Sequence, residues 1–146
     1  MERALAFAGA LILVSLYALM RGGAPERSAA IMYLVAYVLS VWVTQLYREL
    51  YDSVQWMVLG IDLGLLAALV SLALKANRYW GIWAASFQLI AVIAHLAMML
   101  FPNIAAPAYA TALLIWSYAV LPMMAIATYR HDRRVACYGT DPAWSH

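Results

Sequence analysis

The sequence predicts an all-α integral membrane protein of five transmembrane helices, and three observations carry that reading. The chain of 146 residues is 67% hydrophobic and only 11% charged, with a mean hydropathy of +0.80, whereas soluble domains carry roughly 25% charged residues. Its apolar residues fall into five continuous runs, about 4–20, 28–47, 54–74, 79–101 and 106–128. At 1.5 Å per residue each run matches the roughly 30 Å hydrocarbon core as a helix, while barrel strands are alternating and only about ten residues long. Finally, every charge but that of Asp62 falls outside the runs.

The first run opens after Arg3 and ends before Arg21-Gly22-Gly23-Ala24-Pro25, a cluster of helix breakers with Ser28 as the expected N-cap of the second run. The second and third runs are separated by Arg48 to Ser53, the third and fourth by only Lys75 to Arg78, and the fourth and fifth by the uncharged Pro102 to Ala105. No soluble domain is inserted. Residues 1–129 therefore read as a single five-helix transmembrane domain, and residues 130–146 as a short tail. Pro122 is expected to kink the fifth helix or loosen its last turns, freeing a carbonyl near Tyr118.

Charge asymmetry orients these spans. With five crossings, the first connection, the third connection and the tail share one side, which collects Arg21, Arg27, Lys75, Arg78, Arg130, Arg133 and Arg134 against Arg3 and Arg48 opposite. The positive-inside rule then predicts an external N-terminus and a cytoplasmic C-terminus, in a multi-pass protein of the cell membrane of the bacterial inner-membrane kind. A cleaved signal peptide would invert that bias for every later loop. Tyr47, Tyr51, Trp56 and Tyr109 fall near the external ends and Tyr17, Tyr79, Trp80, Trp83 and Tyr129 near the internal ends, as expected at headgroup depth.

Polar residues inside the spans supply the candidate site. Asp62, between Gly60 and Gly64, is the only carboxylate well inside an apolar run. Positions seven apart share a helical face, which aligns Gln55 with Asp62, Gln88 with His95, and Thr111 with Tyr118. On the second helix Tyr33, Tyr37, Ser40, Thr44 and Tyr47 form one line. Helices two to five are thus expected to form a bundle with a polar interior. The first helix offers only Ser15 and Tyr17 and is expected to be peripheral.

From the helical rise, Asp62 lies roughly 13 Å from the outer end, between His95 at roughly 9 Å and Gln88 at roughly 20 Å. The four-residue turn makes helices three and four antiparallel neighbours, so an Asp62 to His95 hydrogen bond is within reach. An isolated carboxylate at this depth is costly, and an adjacent imidazole keeps it charged or shares one proton with it. Gly60 and Gly64 form a GxxxG whose face points about 200° from Asp62, so they are expected to seat a packing helix on the opposite side. The hydroxyls of Ser, Thr and Tyr have a plainer role available, bonding to backbone or to neighbouring helices.

Known chemistries find little support. Cys137 is the single cysteine, so no internal disulfide or CxxC metal site exists; its thiol is inert unless palmitoylated. Lys75 is too near the boundary for a retinal Schiff base, His95 has no second intramembrane histidine for haem, and Asp62 has no acidic companion for aspartyl or metal catalysis. No hydrolase motif occurs and no cofactor or metal is implied by a motif, so an enzyme is not the expected reading. Basic residues form no nucleic-acid-binding pattern. His131 and His146 are expected in solvent, and Arg130, Arg133 and Arg134 at anionic headgroups.

Two functions follow. The first is an ion, proton or small-ligand handler whose relay uses Asp62 and His95, with Gln88, Tyr37, Tyr118 and Gln55 along the path. The alternative is an accessory or structural subunit of a larger membrane complex. The expected partners are the lipid bilayer and either a second copy or such a complex.

Overall fold

The structure, a computed structural model, describes residues 2–47, 51–76, 78–100, 106–141 and 144. Five helices follow one another: α1 Glu2–Arg21, α2 Ala24–Leu46, α3 Tyr51–Lys75, α4 Trp80–Leu100 and α5 Ala106–Tyr138. Each packs on its neighbour in sequence, and α5 returns against α1, so the bundle is a closed ring with only a slight contact between α2 and α5 across it.

That closure corrects the expected place of α1, which is a full member of the ring. Leu11, Ser15 and Ala18 are buried at helical spacing and face α2 and α5. Polar residues do not mark this face, because helices associate in lipid through small residues and close packing. Ala18, Ala29, Ala30 and Ala84 are all fully buried, and they allow that approach.

Helix ends also differ from the expected ones. α2 starts four residues before Ser28, with Gly23 as an extended N-cap and Pro25 in the first turn, where its missing N–H costs nothing. Ser28 is instead inside the helix, its hydroxyl donating to the Ala24 carbonyl at 2.9 Å. α5 continues through Pro122 for 33 residues, about 50 Å of rise, so its last turns extend past a bilayer core of about 30 Å. Gly139, with φ of 75°, then reverses the chain in a conformation side-chain-bearing residues avoid. The reversal lets Trp144 form an isolated antiparallel bridge with Ala76 in the α3–α4 turn. That turn is tight: a Cβ on Gly81 would lie 3.1 Å from the Ala73 Cα, so glycine lets α4 start hard against the end of α3.

The outer surface is apolar. Ile31, Val35, Trp42, Leu74, Ile82 and Ile93 are all exposed, far more apolar surface than a water-soluble monomer tolerates. Ala24–Leu46, Gln55–Lys75 and Trp80–Leu100 are long and apolar enough to cross a membrane, and Leu5–Arg21 is a shorter apolar helix. The chain is a small polytopic helical membrane protein. Tyr79, Trp83 and Tyr129 are exposed near one end and Trp56 near the other, where headgroups lie. The side chains of Tyr51, Tyr109 and Thr111, together with His146 and the connections 48–50 and 101–105, fall outside the described residues.

Candidate functional site

Inside the ring, α3 and α4 bring Asp62, Gln88 and His95 together. The Asp62 carboxylate takes a contact from His95 Nε2 at 3.0 Å on Oδ2 and a hydrogen bond from Gln88 Nε2 at 2.9 Å on Oδ1. Gln88 Nε2 also lies 3.4 Å from the Asp62 carbonyl oxygen. Two turns separate the amide and the imidazole on one face of α4, and the carboxylate of the antiparallel helix sits between them, as the depths along the helices require. Both ends of the pair are largely enclosed, with 18% of the Asp62 side chain and 13% of the His95 side chain exposed. No fixed cation touches this carboxylate among the described residues.

The three side chains line a cavity of about 230 Å³ that is shared with Tyr33, Tyr37 and Ser40 of α2. Phe7, Phe87 and Trp116 supply apolar walls. The Phe87 and Trp116 rings stack with centroids 5.7 Å apart, and Phe7 contacts Tyr37 at 5.9 Å and Tyr118 at 5.4 Å. The Tyr33 hydroxyl is buried, with no protein partner among the described residues.

The remaining expected residues divide. Tyr37 and Gln88 line the cavity, but Tyr118 does not: α5 turns Trp116, Ser117, Val120 and Leu121 inward at this level, leaving Tyr118 exposed against Phe7. Gln55 is half-buried outside the lining. The polar line on α2 meets the cavity only from Tyr33 to Ser40, because Thr44 is exposed and its hydroxyl satisfies itself on the Ser40 carbonyl at 2.7 Å. Gly60 and Gly64 face away from Asp62 as their helical angles dictate, but among the described residues no other helix comes within 4 Å of a Cβ placed on either.

A second polar cluster sits at the end of the bundle where the α1–α2 turn, the α3–α4 turn and the segment after α5 meet. Glu26, in the first turn of α2, is fully buried, and its Oε1 accepts a hydrogen bond from the Trp80 indole at 3.0 Å. Arg78 Nε is 3.8 Å from the same oxygen, and Arg78 Nη2 is 2.5 Å from Asp141 Oδ2. Asp141 also holds His131 Nδ1 at 2.6 Å and accepts from Arg134 Nε at 3.1 Å on each oxygen. Burial pushes the Asp141 carboxyl up, but hydrogen bonds from Arg134, His131 and Arg78 and the charge of Arg78 outweigh it and hold the carboxyl below its usual range.

This cluster corrects the expectation of a solvated His131, whose side chain is only 13% exposed. Its partners come from segments distant in sequence, so no local pattern announces it. One signal was available: Glu26 and Arg78 stand at turns assigned to the same membrane face. Among the described residues no three His, Cys, Asp or Glu side chains are placed to hold a metal ion. Cys137 is exposed on the extension of α5. No family model, curated protein or solved structure matches the chain, so its function has to be argued from these two clusters.

Proposed function

We propose that the protein handles protons or small cations within the membrane, using Asp62 and His95 as the exchanging groups. The observation that carries this reading is a carboxylate bonded to an imidazole and a neutral amide, on a largely apolar cavity that Tyr33, Tyr37 and Ser40 also line, and without a fixed cation among the described residues. An ionisable residue at such depth is expensive and marks a functional site by default. A carboxylate and an imidazole 3.0 Å apart form a pair that can hold one proton in either of two places.

Size narrows the cargo. About 230 Å³ accommodates several waters at about 30 Å³ each, yet falls below the roughly 300 Å³ lower bound of small-molecule sites. Protons, water and small cations therefore fit better than organic ligands. In reconstituted vesicles the protein is expected to carry a pH-dependent flux that Asp62→Asn reduces at least tenfold while still inserting and folding. Unchanged flux in that variant would remove the proposal.

The accessory-subunit reading draws on a different observation. Gly60 and Gly64 are exposed, and Gly64 borders an apolar groove of about 350 Å³ formed with Ile31, Val35 and Leu39 of α2. A small-xxx-small face open to lipid suits a helix from another chain. Gly64→Leu is expected to break that association, measured as a change in oligomer or complex mass in mild detergent. An unchanged mass would contradict this second reading.

A further inference from the structure

We propose that the groove between α4 and α5, at the end of the bundle carrying Asp141, binds an anionic amphiphile: a lipid with a phosphate headgroup. The groove encloses about 620 Å³. Arg78, Arg130 and Arg134 line it, while no carboxylate does. Arg130 and Arg134 lie two and three turns beyond Pro122 on α5, and Arg78 immediately precedes α4, so the guanidinium groups gather at the membrane-boundary end. Trp83, Phe87, Met123 and Ile126 continue the groove along the transmembrane parts of the same helices.

The ion-pair cluster prepares these arginines rather than cancelling them. Only 5% of the Asp141 side chain is exposed, and it holds Arg134 through Nε, so the two terminal nitrogens of this groove-lining residue are not taken up by Asp141. Arg78 is pinned between Asp141 and Glu26, neither of which lines the groove. Arg130 is exposed and makes no ion pair among the described residues. Planar guanidinium forks match phosphate oxygens in two-point hydrogen bonds, and preorganised forks lose little freedom on binding. A free anion would use the arginines but leave the apolar walls without an occupant; an acyl chain covers them. Charge at one end and apolar wall along the rest therefore select a phosphate-headed lipid.

The test is lipid retention by the detergent-purified protein, read by mass spectrometry under non-denaturing conditions. The probes are phosphatidic acid, phosphatidylcholine with the same acyl chains, and inorganic phosphate. Phosphatidic acid is expected to be retained at least tenfold more than phosphatidylcholine. Arg130→Gln, which disturbs no ion pair, should lower that retention about fivefold, while Arg133→Gln on the same helix but outside the groove should change it less than twofold. Met123→Trp keeps every charge and fills the apolar wall, and it too should lower retention. Asp62→Asn should leave retention intact, so this proposal and the one for the central site fail separately. Equal retention of the two lipids, no effect of Arg130→Gln, or no effect of Met123→Trp would overturn the lipid site. Displacement of the lipid by millimolar inorganic phosphate would overturn it in favour of a soluble anion.

Discussion

The central pair and the cluster at the Asp141 end of the bundle use the same chemistry in different surroundings. In each, a carboxylate meets an imidazole, at 3.0 Å for Asp62 and His95 and at 2.6 Å for Asp141 and His131. Around Asp141 stand two arginines, whose charge does not vary with pH, so its carboxyl is held below the usual range and the cluster locks three segments together. Around Asp62 the donors are a titratable ring and a neutral amide, and a cavity adjoins them. The two carboxylates therefore differ in their fixed cations: Asp141 meets two arginines, and Asp62 meets none among the described residues.

This contrast is broken most severely at the lock. Arg78→Ala removes the group shared by Asp141 and Glu26, leaving a fully buried carboxylate short of its counter-charge. Removing one partner of a buried pair costs about 3–5 kcal/mol, so the variant is expected to lose thermal stability sharply in detergent. A change below about 1 kcal/mol would mean that the cluster is not a lock.

Acid should loosen the same region to a smaller degree. The folded-state pKa of Asp141 is lowered from its ordinary 3.8. Its stabilising contribution is therefore complete above that unfolded value and is lost as pH falls through the lower folded value. Melting temperature should fall in that acidic window, and Asp141→Asn should flatten this part of the profile while reducing stability at neutral pH. A variant with the wild-type acid profile would assign the effect elsewhere.

The smallest expected effect is at the central pair. His95→Ala removes one donor to Asp62 and leaves the Gln88 bond in place. Interhelical hydrogen bonds in membranes average about 0.6 kcal/mol, so stability should change by about 1 kcal/mol or less while flux falls by an order of magnitude. A large stability loss with flux retained would make the central pair a fastener and reverse the comparison.

What the sequence disclosed follows the same division. Asp62, His95 and Gln88 were legible because one helical period and one four-residue turn fix their relation. α1 was misplaced because Leu11, Ser15 and Ala18 pack through shape, which leaves no polar signature. Helical period alone does not fix the rotation of α5 in the ring, which puts Trp116, Ser117, Val120 and Leu121 on the cavity and Tyr118 against Phe7 outside its lining. Asp141 and His131 were illegible for the strongest reason: Asp141 meets both His131 and Arg78, which stands on another turn, and only closure of the ring and the reversal at Gly139 bring the three together.

The central claim is that Asp62 and His95 exchange a proton while Asp141 does not, and infrared difference spectroscopy of the reconstituted protein across stepped pH tests it most directly. The expected result is a reversible change in carboxyl and imidazole bands that disappears in both Asp62→Asn and His95→Gln and persists in Asp141→Asn. Bands unaffected by Asp62→Asn at every pH where the protein stays folded would contradict it.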